Sequence, residues 1–553
     1  MLHIVGGNVY DPANGVNGEV RDIYVSGGKI CDGECALGVG AGVGAGTGQR
    51  AEAIDARGMV VMAGGVDLHS HIAGPKINVG RTLCPGDHRM DPVPRSGSMR
   101  GGVGHIVPST FVIGRRYAEM GYTTVMEAAG PPMEARHVHE ELDDIPMLDT
   151  GMLLLMGNNH FVLSLIDAGD RERLADYVVF LLGSTGGYGI KAVNPGGGVN
   201  WRRRGNVGGL DDEIDGHQIT PRHIIDALID VNEELRLPHP LHLHCNNLGQ
   251  PTSAQTTLET MRLADGRPLH ITHLQFNAYG PKKGAPFASG AQALADYVNT
   301  HPNISVDVGQ VVFGPAVTMT GDAPFQHSML KLTRDRWTNK EIEMETQSGV
   351  VPIAYSKNTY AGATQWLIGL ELFLLLEDPW RAYLTTDSPN GGPFTAYPWV
   401  IRLLMDRSYR EEVAKTVNKK ALEASCLLEL TREYTLREIA IITRAGPAAR
   451  LGLRNKGHLG AGADADIAVY DPCSDREAMF SRPRYVIKGG QVVVRDGQAI
   501  QECFGRRLLP DLPARDDVAS WLAPQFAQLY TISFDNYRID RERFEPCEVV
   551  PCR

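Results

Sequence analysis

Three His-x-His pairs stand in the sequence: His69/His71, His137/His139 and His242/His244. With 18 histidines in 553 residues, chance predicts about 0.6 such pairs, so the excess asks for a cause. Two residues apart on a strand, both imidazoles project from one face and can share a metal. His69/His71 follows an apolar run in Asp67-Leu68-His69-Ser70-His71. His137/His139 lies in the polar helical stretch from Ala135 to Glu141, where the pair splays apart and reads as solvated surface. Further candidates end other apolar runs: Lys191 in Gly189-Ile190-Lys191, His244 in Leu241-His242-Leu243-His244, His273 in His270-Ile271-Thr272-His273, and Asp387 in Leu384-Thr385-Thr386-Asp387. Each alone has a bland reading. His242 and His270 read as interior strand-face residues, and an aspartate before Ser-Pro is commonly a turn former. Their shared placement at strand ends points to a metal centre, and nitrogen and oxygen donors of this kind suit Zn²⁺.

Lys191 needs a separate argument. A protonated amine beside two cations is strongly disfavoured, and burial lowers a lysine's pKa further. A neutral amine can add CO₂ to form a carbamate, an anionic ligand with two oxygens that can bridge two metals. The competing reading pairs the ammonium with a carboxylate.

The elements that must position these residues follow from alternation. Candidate strands are Val60–Val66, Thr123–Ala128, Leu153–Met156, Ile190–Val193, Leu241–His244, His270–His273, Ile304–Val308 and Tyr383–Thr386. Helical patterns sit between them, including Arg171–Leu182, Thr220–Glu234 and Gly290–Asn299. Eight alternating strands predict a (β/α)8 barrel with its site at the strand C-terminal ends, a doubly wound open sheet being the alternative. Val5-Gly6-Gly7-Asn8-Val9 and Ile487-Lys488-Gly489-Gly490-Gln491-Val492 are near-copies and read as matching hairpins. They predict one small β-domain built from both chain ends, residues 1–62 and 441–510, around a barrel at 63–440, with 511–553 as an extension.

Composition bounds the rest. Apolar residues are 43% and charged residues 22%, which excludes a disordered chain. The longest apolar stretch, Trp366–Leu376, already contains Glu371, so no membrane span is expected. The start has no basic flank or cleavage site, and nine cysteines make no disulfide framework; a cytoplasmic protein is expected. The net charge of −11 argues against nucleic acid and anionic membrane as partners. The glycine-rich run at 38–46 fits neither GxGxxG nor a phosphate loop and reads as a linker loop.

The termini, Asp67-Leu68-His69-Ser70-His71, the strand-four lysine, the two later histidines and Asp387 resemble the amidohydrolase superfamily. The stretch from Ala448 to Ile467 is similar to that superfamily's closing segment. Longer strings, Gly189-Ile190-Lys191-Ala192-Val193-Asn194-Pro195-Gly196-Gly197, Leu241-His242-Leu243-His244-Cys245-Asn246-Asn247-Leu248-Gly249 and His270-Ile271-Thr272-His273-Leu274-Gln275-Phe276-Asn277-Ala278-Tyr279-Gly280, resemble two A-type groups. These are the A subunits of formylmethanofuran dehydrogenases and of bacterial formyltransferase/hydrolase complexes.

The resemblance implies two Zn²⁺ ions. His69, His71 and Asp387 would hold one, and carbamylated Lys191 would bridge to a second held by His244 and His273. His244 is preferred to His242 because its His-x-Asn context resembles the superfamily's strand-five pattern. Asp387 would be the general base and acid. The substrate would be the N-formyl group of a methanofuran-type coenzyme, hydrolysed to formate and free amine. Asn194, Arg202, Asn246 and Gln275 are the candidate substrate contacts, Arg202 within Trp201-Arg202-Arg203-Arg204, which could receive an acidic coenzyme tail. With 13 Lys against 41 Arg, the balance tilts toward the bacterial hydrolase over the dehydrogenase. The rivals are a hydantoinase or dihydropyrimidinase-type cyclic amidase and a metal-free scaffold subunit. The resemblance also implies B-, C- and D-type partner subunits, with a formyltransferase among them. Long segments carrying Phe313, Phe325, Trp337, Trp521, Phe526, Tyr530 and Phe534 are the expected contact surfaces.

Overall fold

The computed structural model describes residues 1–32, 52–201, 205–336, 338–340 and 348–553. The glycine run at 38–46, Arg202–Arg204 and Trp337 lie outside the described residues. Eight short runs rich in Val, Ile, Leu and Met form the barrel strands: β1 (Gly65–Ser70), β2 (Tyr122–Gly130), β3 (Asp149–Leu155), β4 (Gly189–Val193), β5 (Leu241–His244), β6 (Leu269–Ile271), β7 (Ile304–Asp307) and β8 (Ala382–Tyr383). Every residue of these strands is buried, as parallel strands covered on both faces must be. Each strand pairs parallel with the next, and Lys191, His242 and His270 stand side by side across β4, β5 and β6. A helix lies in each crossover, for example Arg171–Thr185, Pro221–Glu234 and Tyr360–Leu375. The ends of β1 and β8 meet through two bonds: His71 N–H donates to Ser388 O (2.8 Å) and Thr385 Oγ1 donates to His69 O (2.7 Å). The architecture is the expected (β/α)8 barrel with a separate β-domain.

The apolar run at 60–66 is not one strand. Val60–Ala63 joins the separate sheet, pairing with Asn8–Tyr10 and Ile467–Tyr470, whereas β1 joins the barrel. The switch occurs at Gly64 and Gly65, whose N–H groups bond to Asp466 O and Gly121 O respectively. A Cβ on Gly64 would lie 2.2 Å from Thr123 Oγ1, and one on Gly65 2.5 Å from the Tyr122 ring.

The separate sheet draws strands from both chain ends, running from Gln498–Ala499 through Ile467–Tyr470 and Leu2–Asp11 to Lys29–Cys31. The near-copies within it differ. Gly489 and Gly490 turn a hairpin between Tyr485–Lys488 and Gln491–Arg495. Gly6 and Gly7 instead interrupt the register inside one continuous strand, Leu2–Asp11. A Cβ on Gly7 would lie 2.4 Å from Val61 Cγ2, so the position is a close approach of strands rather than a turn.

Two surface expectations are corrected. His137 is exposed, but His139 is buried, with its Nε2 2.8 Å from Thr185 O and its ring against Phe544. Ala135, Val138, His139 and Leu142 form one buried helical face at i, i+3, i+4, i+7 spacing. The tail also folds back on its own chain. Arg507–Pro510 pairs with Cys547–Val550 and reaches β3 at Thr150. Phe526 is fully buried, Phe534 stacks on Phe180 (6.0 Å between centroids), and Phe313 lies against Trp366 (5.3 Å). These aromatics, expected at a partner surface, are largely covered within the chain. No described helix is long and apolar enough to cross a membrane.

A buried ionic cluster ties the two parts together. Lys488 Nζ donates to Asp149 (2.6 Å), at the start of β3, and to Asp466 (2.8 Å). Lys456 Nζ reaches Asp149 and Asp464, and Lys29 pairs with Asp464 (2.7 Å). Removing one partner of such a pair leaves a buried charge without compensation. Lys456→Met is therefore expected to lower stability by about 3–5 kcal/mol, read from the shift of the urea unfolding midpoint.

Candidate functional site

The C-terminal ends of the barrel strands converge on one buried cluster. His69, His71, Lys191, His244, His273 and Asp387 are all at most 6% exposed. Asp387 Oδ1 lies 2.9 Å from His69 Nε2 and 3.3 Å from His71 Nε2, and accepts from Asn390 Nδ2 (2.9 Å). Burial pushes the Asp387 carboxyl up, but the two imidazoles packed against it outweigh that and hold it well below the usual carboxylate range. Asp387 and His273 both sit at positive φ, 49° and 36°. Thr385 Oγ1 accepts from Asp387 N–H (2.8 Å) and Asp307 Oδ1 from His273 N–H (2.7 Å), which holds these turns in place.

His69, His273 and Asp387 each offer a donor atom within 4.8 Å of the others'. His244 stands beside His273, with ring centroids 4.6 Å apart and its Nε2 3.3 Å from Asp322 Oδ2. His242 points deeper into the barrel, against His69 Nδ1 (2.8 Å), and forms a second close trio with His69 and Asp307. His270 is interior too, between Ser305 Oγ (2.9 Å) and Asp307 Oδ2 (3.0 Å). Lys191 projects into the same interior, and burial lowers its amine to about 7 against the pull of Asp307 and Asp387.

The cluster carries unmatched buried atoms. Among the described residues, Lys191 Nζ, His273 Nδ1, Asn246 Oδ1 and Gln275 Oε1 have no hydrogen-bond partner, while His244 Nε2 has only the 3.3 Å contact with Asp322. Each such atom costs about 1–3 kcal/mol when left unpaired. Imidazole nitrogens, a carboxylate and an amine whose pKa burial lowers, in one buried cluster, fit bound divalent cations. Asn194 is committed elsewhere: its Nδ2 donates to Asp322 (3.0 Å) and Asn206 (2.9 Å), and its Oδ1 accepts from Asn246 (2.9 Å). Gln275 Nε2 donates to the Tyr279 hydroxyl (3.0 Å). A cavity of about 170 Å³ opens above His244, His273 and Asp387, walled by Phe276, Phe287, Phe325 and Tyr355.

Sequence reasoning missed Glu127, Asp307 and Asp322. Glu127 and Asp307 are carboxylates near the ends of β2 and β7, a signal of the same kind as Asp387's. Asp322 lies in the long segment after β7, where no periodicity marks it. Glu127 orients His71, with Oε1 3.3 Å from Nδ1, and its carboxylate accepts from the N–H groups of Ile72 (2.7 Å), Ala73 (3.0 Å) and Ala129 (3.2 Å).

The amidohydrolase family model matches residues 52–494. The chain is 43% identical over 570 residues to Protein FwdA of Methanocaldococcus jannaschii, covering 99% of this chain and 98% of that protein. It is 40% identical over 524 residues to the A subunit of the formyltransferase/hydrolase complex Fhc of Methylorubrum extorquens, covering 93% and 92%. A chain in the crystal structure of the Methylorubrum extorquens formyltransferase/hydrolase complex FhcABCD with methylofuran matches at a TM-score of 0.92. That match has 38% identity and covers 100% of both chains.

Glu127→Ala removes the acceptor of three buried N–H groups at once. It is expected to cost at least about 3 kcal/mol, measured by chemical denaturation of the metal-free protein.

Proposed function

The chain belongs to the amidohydrolase family, and on that premise we propose that it hydrolyses the N-formyl group of a methanofuran-type coenzyme. The products are formate and the free amine. It acts as the A subunit of a formyltransferase/hydrolase complex in the cytoplasm, beside B-, C- and D-type subunits that include a formyltransferase. The single observation that carries the chemistry is a buried carboxylate, Asp387, within 3.3 Å of two imidazoles and lining a cavity walled in part by aromatic rings. The names of the relatives supply the substrate.

His69, His71 and Asp387 would hold one divalent metal, zinc being the expected ion, and carbamylated Lys191 would bridge to a second held by His244 and His273. The unpaired Lys191 amine and His273 Nδ1 support this assignment. Two such cations lower the pKa of a water and polarise the carbonyl under attack. Asp387 takes the proton from the attacking water as its oxygen bonds to the formyl carbon. Asp387 then gives that proton to the amine nitrogen as the C–N bond breaks. Glu127, bonded to His71 Nδ1, leaves Nε2 facing Asp387. The aromatic walls exclude water and accept the ring of the coenzyme, whereas Asn246 and Gln275, expected as substrate contacts, are buried and do not line the cavity.

A second reading is the A subunit of a formylmethanofuran dehydrogenase, running the same site backwards to condense formate with the amine. The 43% identity to Protein FwdA favours it. Co-purification decides between them: a formyltransferase partner supports the hydrolase, and a molybdopterin or tungstopterin partner supports the dehydrogenase.

Asp387→Asn is expected to cut formate release at least about 10²-fold, because each proton-transfer role is worth about 10²–10⁴. A variant keeping a tenth or more of the turnover, by roughly that scale, assigns the base elsewhere. Lys191→Ala is expected to lose metal and activity together, with partial recovery on adding short carboxylic acids. Peptide mass analysis finding Lys191 unmodified in metal-loaded protein overturns the carbamate.

A further inference from the structure

Three buried imidazoles stand in line through the barrel interior. His69 Nδ1 lies 2.8 Å from His242 Nε2, His242 Nδ1 lies 2.9 Å from His239 Nε2, and His239 Nδ1 lies 3.0 Å from the carbonyl oxygen of Arg450. All three are at most 1% exposed. We propose that His239 and His242 are positioning residues that dictate which ring nitrogen His69 presents to the metal site. The inference rests on the metal centre proposed above.

The direction of the line follows from its far end. A backbone carbonyl only accepts, so His239 carries its proton on Nδ1 and accepts at Nε2. His242 must then donate from Nδ1 and accept at Nε2. His69 in turn donates from Nδ1, and its Nε2 lone pair points at Asp387. The reverse order would set a His239 lone pair against the Arg450 oxygen. Thr272 acts in the same sense: its hydroxyl bonds to Asp307 and its oxygen touches His69 Nδ1. Among the described residues neither His239 nor His242 has a carboxylate within hydrogen-bond distance, Asp307 being 3.9 Å from His242 Nε2, so no described carboxylate compensates a charged ring there.

A count of protons agrees. The line makes four contacts, including the 2.9 Å contact of His69 Nε2 with Asp387, and three neutral rings bring three protons. The contact left without a proton is the one between two acceptors, His69 Nε2 and Asp387 Oδ1. A cation held by both satisfies it. The tautomer that makes His69 a ligand is therefore set at the opposite, N-terminal end of the barrel, by groups that touch neither metal nor substrate.

The test uses the chain purified with its native partners, stripped of metal and titrated with Co²⁺ against a chromophoric chelator. His242→Leu and His239→Leu are expected to weaken Co²⁺ binding by about 10–100-fold and to change its visible spectrum. His242→Gln offers an oxygen to His69 and an NH₂ to His239, and is expected to stay within about threefold of the unaltered protein. Leu variants that bind as tightly as the unaltered protein, with its spectrum, overturn the proposal, as does a Gln variant that loses as much as Leu. If His242→Leu does not fold, judged by thermal unfolding, His239→Leu against His239→Gln makes the same comparison. Unaltered protein that binds no Co²⁺ overturns the metal centre itself, a result distinct from bound metal indifferent to these variants.

Discussion

The seam between the first and last barrel strands governs the rest of the site. β8 is only two residues long, so the strand ladder ends below the point where the chemistry lies. Above it, the Thr385 hydroxyl satisfies the His69 carbonyl and the His71 N–H satisfies the Ser388 carbonyl. Buried backbone groups must find partners, and here the partners come from the residues flanking Asp387. Closing the barrel and bringing Asp387 to its two imidazoles are therefore one event. A loosened seam moves the carboxylate and unpairs buried backbone at the same time, which couples the stability of the fold to the geometry of the site.

The interior above and below that seam is unusually rich in ionisable groups, and their partners divide them into two kinds. Most are closed networks. Asp67 accepts from Tyr117 (2.8 Å) and Tyr397 (2.5 Å), Glu127 from three backbone amides, and Asp307 from His270 and His273. Asp149, Asp464 and Asp466 look like a cation site if only carboxylates are counted. Lys456 and Lys488 already fill it, so it is a structural clamp between barrel and β-domain. The second kind is left open. Native proteins pair nearly all buried polar atoms, and the unpaired Lys191 Nζ and His273 Nδ1 at the C-terminal end of the barrel are ones the proposed metals would satisfy.

The covering layer follows the same logic. Phe276, Phe287, Phe325 and Tyr355 bring low-dielectric walls to the polar base of the cavity. Charges inside such a space interact more strongly than in water.

His69, His71, His244, His273 and Asp387 could be picked out from the chain alone because each stands at or just past the end of a short strand run, and Lys191 because it interrupts one. Alternation of strands with helices says that run ends share one face of a barrel. Local patterning also carried information left unread: Ala135, Val138, His139 and Leu142 lie at helical spacing, which marks His139 as inward. Other features have no local signal. Gly-Gly makes a turn at Gly489-Gly490 and a strand irregularity at Gly6-Gly7, because only the second is pressed against Val61 of another strand. Asp322 sits at His244 only once a distant loop is placed. Tertiary structure alone also decided that the tail aromatics turn inward. A residue's type and its position along a strand are set by its near neighbours. The 2.8 Å contact that orients an imidazole is set by closure of a sheet whose ends lie more than three hundred residues apart.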